Sequence, residues 1–205
     1  HAASNPSEST PHAAGKHRVI PLLALLFIVP LTVYFGLRFF GARRYLLISL
    51  LVMAEIAIPF AASFEKRRPR ARELVLISSL CAIAIAGRAA FSMLPQFKPV
   101  LAIVIISGVA LGAEAGAFIG VVTMLVSNML FSQGSWTPWQ MLAAGVVGAA
   151  AGLIFYRRIV KSRAALCMFG IFAAVVIYGG IMNPASLLMV QDVITREMLA
   201  AAYIS

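Results

Sequence analysis

The feature that most constrains this chain is a succession of apolar segments, each long enough to cross a lipid bilayer. A transmembrane α-helix needs about 20 predominantly apolar residues, and runs of that kind recur along the sequence. The chain is 61% hydrophobic and 12% charged, a balance that soluble globular domains do not have. Strand-like alternation of apolar and polar residues is absent, which argues against a membrane β-barrel. The sequence therefore predicts an all-α polytopic membrane protein.

A dense basic run divides the apolar segments into two groups. Residues 1–17 are polar and rich in Pro and Ser, so we expect them to be disordered. Residues 18–64 hold two predicted transmembrane helices. Residues 65–72, which read EKRRPRAR, form a predicted basic cytoplasmic linker. Residues 73–205 then form a second helical bundle.

Five membrane crossings are predicted in this second bundle. The apolar run 100–131 would span roughly 48 Å as one helix, too long for one crossing and too short for two full ones. We therefore expect a hairpin of two short helices that turns within Gly112–Gly116 and places Glu114 at the start of its second helix. Asn183–Pro184 is expected to end the last crossing on the outside. The predicted crossings are 73–94, the two helices of 100–131, 138–156 and 164–182.

The charge distribution predicts the orientation of the chain. Its net charge is +10, but the Lys and Arg residues cluster at helix ends, as the positive-inside rule expects of cytoplasmic loops. This pattern disfavours nucleic-acid binding. It places the N-terminus in the cytoplasm, and the loops 92–99 and 132–138 with the tail 183–205 on the opposite face.

The titratable residues show no catalytic or metal-binding arrangement. Cys81 and Cys167 lie in apolar runs, and the three histidines lie in the polar start of the chain. The sequence has no nucleotide-binding loop and no nucleophile elbow. We therefore expect no metal, no directly bound cofactor and no enzymatic activity.

Three polar residues interrupt the predicted crossings. Glu55 lies near mid-membrane, where a carboxylate is either functional or neutral and hydrogen-bonded to a neighbouring helix. Arg88 lies towards the far end of its helix and either extends to the interface or faces a watery cavity. Asn128 either bridges helices or binds a ligand.

Two further patterns each leave two interpretations open. Residues 131–140 (FSQGSWTPWQ) form a polar, aromatic break that holds both tryptophans, Trp136 and Trp139. It is either an interfacial turn of the aromatic belt or a lid over a small-molecule site. Small residues at four-residue spacing give the crossing 73–94 a slim face, which serves intramolecular packing or docking to another subunit. They are Ser78, Ala82, Ala86 and Ala90.

Four short segments resemble a known transporter family: 71–75 (ARELV), 87–91 (GRAAF), 93–99 (MLPQFKP) and 133–141 (QGSWTPWQM). They are similar to the membrane-embedded substrate-binding component, the S component, of energy-coupling factor (ECF) vitamin transporters. The resemblance covers residues 71–205. Its nearest subgroup is the cobalamin type, which also carries extra N-terminal helices.

The resemblance implies a helical bundle in the prokaryotic cytoplasmic membrane that captures a vitamin at its outer face. Such a component works with a transmembrane coupling subunit and two cytoplasmic ATPases, which use the ATP. In the family, small residues on the first core helix contact the coupling subunit, and Ala82 and Ala86 match them. The family core has six helices, so the sixth is expected after Ser205 or replaced by the N-terminal pair.

The hypothesis for function is therefore capture of a vitamin, with cobalamin or a related corrinoid expected. Another vitamin is the first alternative. A self-contained channel or small secondary transporter, or a purely structural membrane subunit, is the second. The residues expected to bind the substrate are Arg88, Phe91, Gln96, Lys98, Asn128, Gln133, Trp136, Trp139 and Gln140.

Overall fold

The computed structural model describes most of the second bundle and parts of the N-terminal segment. The predicted disordered start, the linker positions 65–70 and the tail 191–205 lie outside the described residues. Every regular element in the described part is helical, which confirms the all-α prediction. The described residues are helical stretches between 27 and 58, and the ranges 71–94, 99–156 and 162–190.

The residues that the structure describes after the basic run form six α-helices and one π-helical segment. Among the described residues, four helical rods are long and apolar enough to cross a membrane, namely α1, α3, α4 and the continuous rod Arg163–Leu187. Together they make the chain a multi-pass membrane protein. The elements are α1 (Ala71–Ala90), α2 (Val100–Leu111), α3 (Ala113–Phe131), α4 (Thr137–Phe155), α5 (Arg163–Phe172), the π segment (Ala173–Tyr178) and α6 (Gly179–Val190).

Successive rods run in opposite directions, so the bundle has two distinct ends. The loop end holds the turn after α1 and the segment 132–136 between α3 and α4. The basic end holds Arg72 at the start of α1 and Arg163 at the start of α5. We call these the loop end and the basic end.

The predicted break in the run 100–131 falls at Gly112. Its φ of 95° and ψ of 174° lie in a region that only glycine occupies without strain. The Gly112 N–H donates to the Gly108 carbonyl, and the Gly112 carbonyl accepts from the Gly116 N–H, each at 2.9 Å. The hairpin is confirmed with one correction. α2 is short, but α3 is long enough to cross a membrane, because the break lies nearer the start of the run than its end.

Helices α3 and α4 form the centre of the bundle, with α2 packed against both. Their backbones approach so closely that a Cβ atom on Gly148 would lie 2.2 Å from the Gly116 carbonyl oxygen. A Cβ on Gly108 would likewise lie 2.3 Å from the Gly148 oxygen. Small residues permit such contacts between membrane helices. Dispersion between the closely packed backbones therefore holds this seam together.

Helix α6 continues through Pro184, so the predicted helix end at Asn183–Pro184 is wrong. Proline inside a helix removes one hydrogen bond, and its ring crowds the carbonyl of the residue four positions earlier. Membrane helices tolerate proline where neighbouring groups satisfy the freed backbone, and this rod continues past it.

The described N-terminal stretches pack against each other. A Cβ on Gly36 would lie 2.9 Å from the Ile48 side chain, and the Thr32 hydroxyl donates to Glu55 Oε1 at 2.8 Å. Glu55 Oε2 is buried without a hydrogen-bond partner in the described part of the chain. Of the two readings of Glu55, the structure shows the hydrogen bond to a neighbouring helix.

Candidate functional site

A group of polar side chains lies at the loop end, inside a bundle that is otherwise almost entirely apolar. We call it the loop-end cluster. α1, α3 and α4 each contribute to it, because all three have polar residues in the turn or two nearest this end. The loop-end cluster consists of Arg88, Ser127, Asn128, Thr137 and Gln140.

Asn128 joins the last turns of α3 to the first turn of α4. Its side chain is 0% exposed. The Nδ2 group donates to Thr137 Oγ1 at 3.0 Å and to Gln140 Oε1 at 2.8 Å. The amide oxygen Oδ1 is buried and has no donor among the described residues. A buried, unpaired carbonyl is costly, so a donor that reached this oxygen would offset that cost.

Arg88 extends from α1 to α3. Its Nη1 group donates to Ser127 Oγ at 2.6 Å and lies 3.7 Å from Met124 Sδ. Ser127 in turn donates to the Met124 carbonyl at 3.2 Å. Tyr178, at the end of the π segment, interacts electrostatically with Arg88. The guanidinium is therefore held at the inner face of the bundle, which favours the reading in which Arg88 faces a polar interior.

The segment between α3 and α4 is folded back on itself. The Thr137 N–H donates to the Gly134 carbonyl at 3.0 Å, and the Gly134 N–H lies 3.4 Å from Thr137 Oγ1. The Trp136 ring covers Gly134 so closely that a Cβ there would lie 2.4 Å from it. A side chain at this position would displace the indole.

The two tryptophans have different environments. Trp136 is 38% exposed at the loop end, whereas Trp139 is 7% exposed and belongs to the main hydrophobic cluster of the bundle. Phe91 and Gln133 are exposed near the same end. Trp136 therefore presents a flat surface outward, while Trp139 anchors the start of α4.

The structure brings together three of the predicted binding residues, Arg88, Asn128 and Gln140. Gln96 and Lys98 lie outside the described residues. Sequence analysis missed Ser127, Thr137 and Tyr178. Ser127 is next to Asn128, and Thr137 is next to Trp136, so their positions beside predicted binding residues were a usable signal. The sequence held no such signal for Tyr178, because only the fold brings it near Arg88.

The four small residues of α1 share an outward face. All four are exposed, and a groove of about 550 Å³ between α1 and α3 runs beside them. The groove is lined by Ala82, Ile85 and Phe118, among others. The residues with this exposure are Ser78, Ala82, Ala86 and Ala90.

A family model described as "ECF-type riboflavin transporter, S component" matches residues 70–205, about two thirds of the chain. No solved structure matches the fold. The match corrects the expected cobalamin-type subgroup, since it points to the riboflavin type. S components are membrane subunits that capture a substrate and work with the other subunits of an ECF transporter, typically without enzymatic activity. The chain belongs to the family of ECF-type riboflavin transporter S components.

Proposed function

We propose that this protein captures riboflavin at the loop end of its bundle and passes it to partner subunits for uptake. The observation that carries this proposal is the family match over residues 70–205. The matched region includes α1 to α6 and the whole loop-end cluster. Binding sites for small molecules combine apolar walls with a few convergent polar groups, and the cluster supplies the polar groups.

The chemistry of riboflavin suits the loop-end cluster. The flavin ring system is flat and apolar over most of its area, but one edge carries an imide with an N–H donor and two carbonyl acceptors. The amides of Asn128 and Gln140 complement such an edge, and the unpaired Asn128 Oδ1 would accept its N–H. The hydroxyl-bearing ribityl chain would reach Arg88 and Ser127, which already share a hydrogen bond.

In this proposal the residues around the loop end form a lid. Trp136 and Phe91 offer aromatic surface that is exposed without a ligand, and aromatic rings stack favourably on flat ligands. Gln133, Gln96 and Lys98 would add hydrogen bonds from the loops. Trp139 would support the lid from beneath, since it is packed in the apolar core.

Flavin fluorescence provides the direct test. Purified protein in nanodiscs is titrated with riboflavin, and we expect saturable quenching with a stoichiometry of one flavin per chain. Trp136→Ala should weaken binding about tenfold, because stacking of an aromatic side chain on a flat ring contributes on the order of 1–3 kcal/mol. Tyr156→Ala is the matched control, since Tyr156 is an exposed aromatic residue at the basic end.

A different result would identify which part of the proposal fails. If riboflavin does not quench but another vitamin, such as thiamine or biotin, binds saturably in a direct binding measurement, the substrate is wrong and the capture role stands. If no vitamin binds in nanodiscs or in the assembled transporter, the capture role itself is wrong.

Uptake also needs a partner. We propose that the exposed face of Ser78, Ala82, Ala86 and Ala90 docks on the transmembrane coupling subunit. Two cytoplasmic ATPases would supply the energy, so that this chain binds no nucleotide or other cofactor itself. Close approach of helices over small residues supports this assignment. Co-purification of the four-subunit complex, with and without a bulky residue on the face, tests it.

We also propose that the loop end faces outward and the N-terminus lies in the cytoplasm. The support is the excess of Lys and Arg at the basic end. Membrane-impermeant labelling of Gln133→Cys and Lys66→Cys, each in a Cys-free background, tests this in intact cells. We expect Gln133→Cys alone to be labelled before lysis. Labelling of both variants in intact cells would overturn the orientation.

A further inference from the structure

An apolar groove runs between α2 and α5 on the outside of the bundle. Its volume is about 640 Å³. Leu101, Ile105 and Val109 line it from α2, and Leu166 and Gly170 line it from α5. Ile105 and Val109 also belong to a hydrophobic cluster with Phe155 and Phe169, which forms the floor of the groove.

The groove is open on the side that faces the membrane. Nothing lies within 4 Å of the position where a Cβ on Gly170 would point. Ile106, on the α2 rim, is 60% exposed, and Met168 on α5 is also exposed. The exposed surface of a membrane-spanning helix meets lipid, so acyl chains have direct access to this space.

A cation closes one end of the groove. Arg163 lines it at the start of α5, at the basic end of the bundle, and is exposed. A positive charge in the first turn of a helix is unfavourable beside the helix dipole, so an anion next to Arg163 would offset that cost. Arg157, Arg158 and Lys161 precede it in the sequence. Basic residues between membrane helices on the cytoplasmic side are typical of sites for anionic lipid headgroups.

We propose that this groove binds an anionic phospholipid of the cytoplasmic leaflet. One acyl chain fills the apolar furrow between α2 and α5, and the Arg163 guanidinium binds the headgroup phosphate. The leaflet assignment rests on the proposed orientation. The headgroup end of the groove, at Arg163, lies at the opposite end of the bundle from the loop-end cluster, and the apolar lining offers nothing to the amides of a flavin. The buried residues of the N-terminal pair join the other hydrophobic cluster, with Ile77, so they do not fill the groove.

Native mass spectrometry of the protein released from vesicles tests the proposal. The vesicles contain equal amounts of phosphatidylglycerol and phosphatidylcholine with identical acyl chains. We expect the wild type to retain phosphatidylglycerol in preference. Arg163→Ala should lower that preference about fivefold, since a basic residue near an anionic lipid surface contributes about 1 kcal/mol. Gly170→Leu should lower retention of both lipids, because its side chain enters the groove.

Two matched variants control for charge and bulk. Arg72→Ala removes an exposed cation at the same end of the bundle, and Gly180→Leu adds the same bulk at a glycine that is equally open but does not line the groove. Both should behave as wild type. Thermal unfolding followed by size-exclusion chromatography, measured on every variant, reports that the bundle is folded.

Three outcomes would overturn the proposal. The first is equal retention of the two lipids by the wild type. The second is an equal loss in Arg72→Ala and Arg163→Ala, which would mean a diffuse effect of charge. The third is unchanged lipid retention in Gly170→Leu together with lost assembly with the coupling subunit, which would make the groove a protein interface. None of these depends on whether the substrate is riboflavin.

Discussion

The central pair α3–α4 and the outer rods of the bundle are built in opposite ways. In their most apolar stretches, 56% of α3 and 72% of α4 are buried, against 17% of α1 and 11% of the rod Arg163–Leu187. The central helices touch backbone to backbone across glycines, whereas α1 and α5 present large side chains outward. The comparison indicates that the central helices form a fixed scaffold and that the outer rods present surfaces whose contacts can change.

The loop-end cluster joins these two regions. Asn128, Thr137 and Gln140 belong to the scaffold and hold one another. Arg88 belongs to an outer helix and reaches the scaffold through Ser127. A ligand bound here would contact both, so its presence would fix α1 relative to the centre. Four substitutions test this division, ordered by their expected effect on the free energy of unfolding.

Gly148→Ala should have the largest effect. The added methyl group would lie 2.2 Å from the Gly116 oxygen, and neither backbone can move without opening the seam. We expect a loss of about 3 kcal/mol, measured by thermal unfolding followed by size-exclusion chromatography. Gly170→Ala adds the same methyl group to α5 in open space and should leave the unfolding temperature unchanged. Equal effects in the two variants would contradict the comparison.

Asn128→Leu should have an intermediate effect. Leucine keeps the volume but removes two interhelical hydrogen bonds, so we expect a loss of about 2 kcal/mol in stability. Riboflavin affinity, measured by flavin quenching, should fall at least about tenfold. The control is Met129→Leu at the next, exposed position, which should change neither quantity. Normal affinity in Asn128→Leu would remove Asn128 from the proposed binding site.

Arg88→Met should separate binding from stability. One interhelical hydrogen bond is lost, but a half-buried charge is also removed, so stability should change by less than about 1 kcal/mol. Affinity for riboflavin should fall about tenfold, because a charged hydrogen bond to the ligand is lost. Arg72→Met, at the basic end, should leave affinity unchanged. A large loss of stability with intact affinity would make Arg88 a scaffold residue.

Ala82→Leu should have the smallest effect on the isolated chain. Ala82 is exposed, and such substitutions usually change stability by less than about 0.5 kcal/mol. Riboflavin binding should be normal, while co-purification with the coupling subunit should be lost. Leu76→Phe, which enlarges an exposed residue on another face of α1, should preserve assembly. Intact complexes in Ala82→Leu would exclude this face as the docking surface.

Much of the fold could be predicted because the length of an apolar run and the conformational freedom of glycine can both be read from the local sequence. The predicted crossing 138–156 is α4, Thr137–Phe155, and the predicted turn is centred on Gly112. The first core crossing was drawn as 73–94, but α1 ends at Ala90 and residues 91–94 form a turn. The end of the last rod was misjudged, because the local sequence does not show whether neighbouring groups will carry a membrane helix past Pro184.

The site was less predictable than the fold. Polarity inside an apolar run was enough to find Arg88 and Asn128. Polarity was not enough to distinguish Trp136 from Trp139, because both lie in the same motif. They differ only in whether their side of the start of α4 faces the hydrophobic core. The substrate subgroup was expected to be the cobalamin type, which also carries extra N-terminal helices, but the loop motifs are more specific for the family than for the vitamin. The match over the full bundle points to riboflavin instead.

The π segment Ala173–Tyr178 determines the direction in which the side chains of the following helix point. A π turn holds one residue more than the α turn it replaces, and one residue corresponds to about 100° of rotation around a helix. Phe169 and Ala173 belong to the cluster that forms the groove floor, whereas Tyr178 packs against the main hydrophobic cluster and lies near Arg88. Without the extra residue, Tyr178 would be rotated away from Arg88, and the last rod would bring no phenol to the proposed binding site.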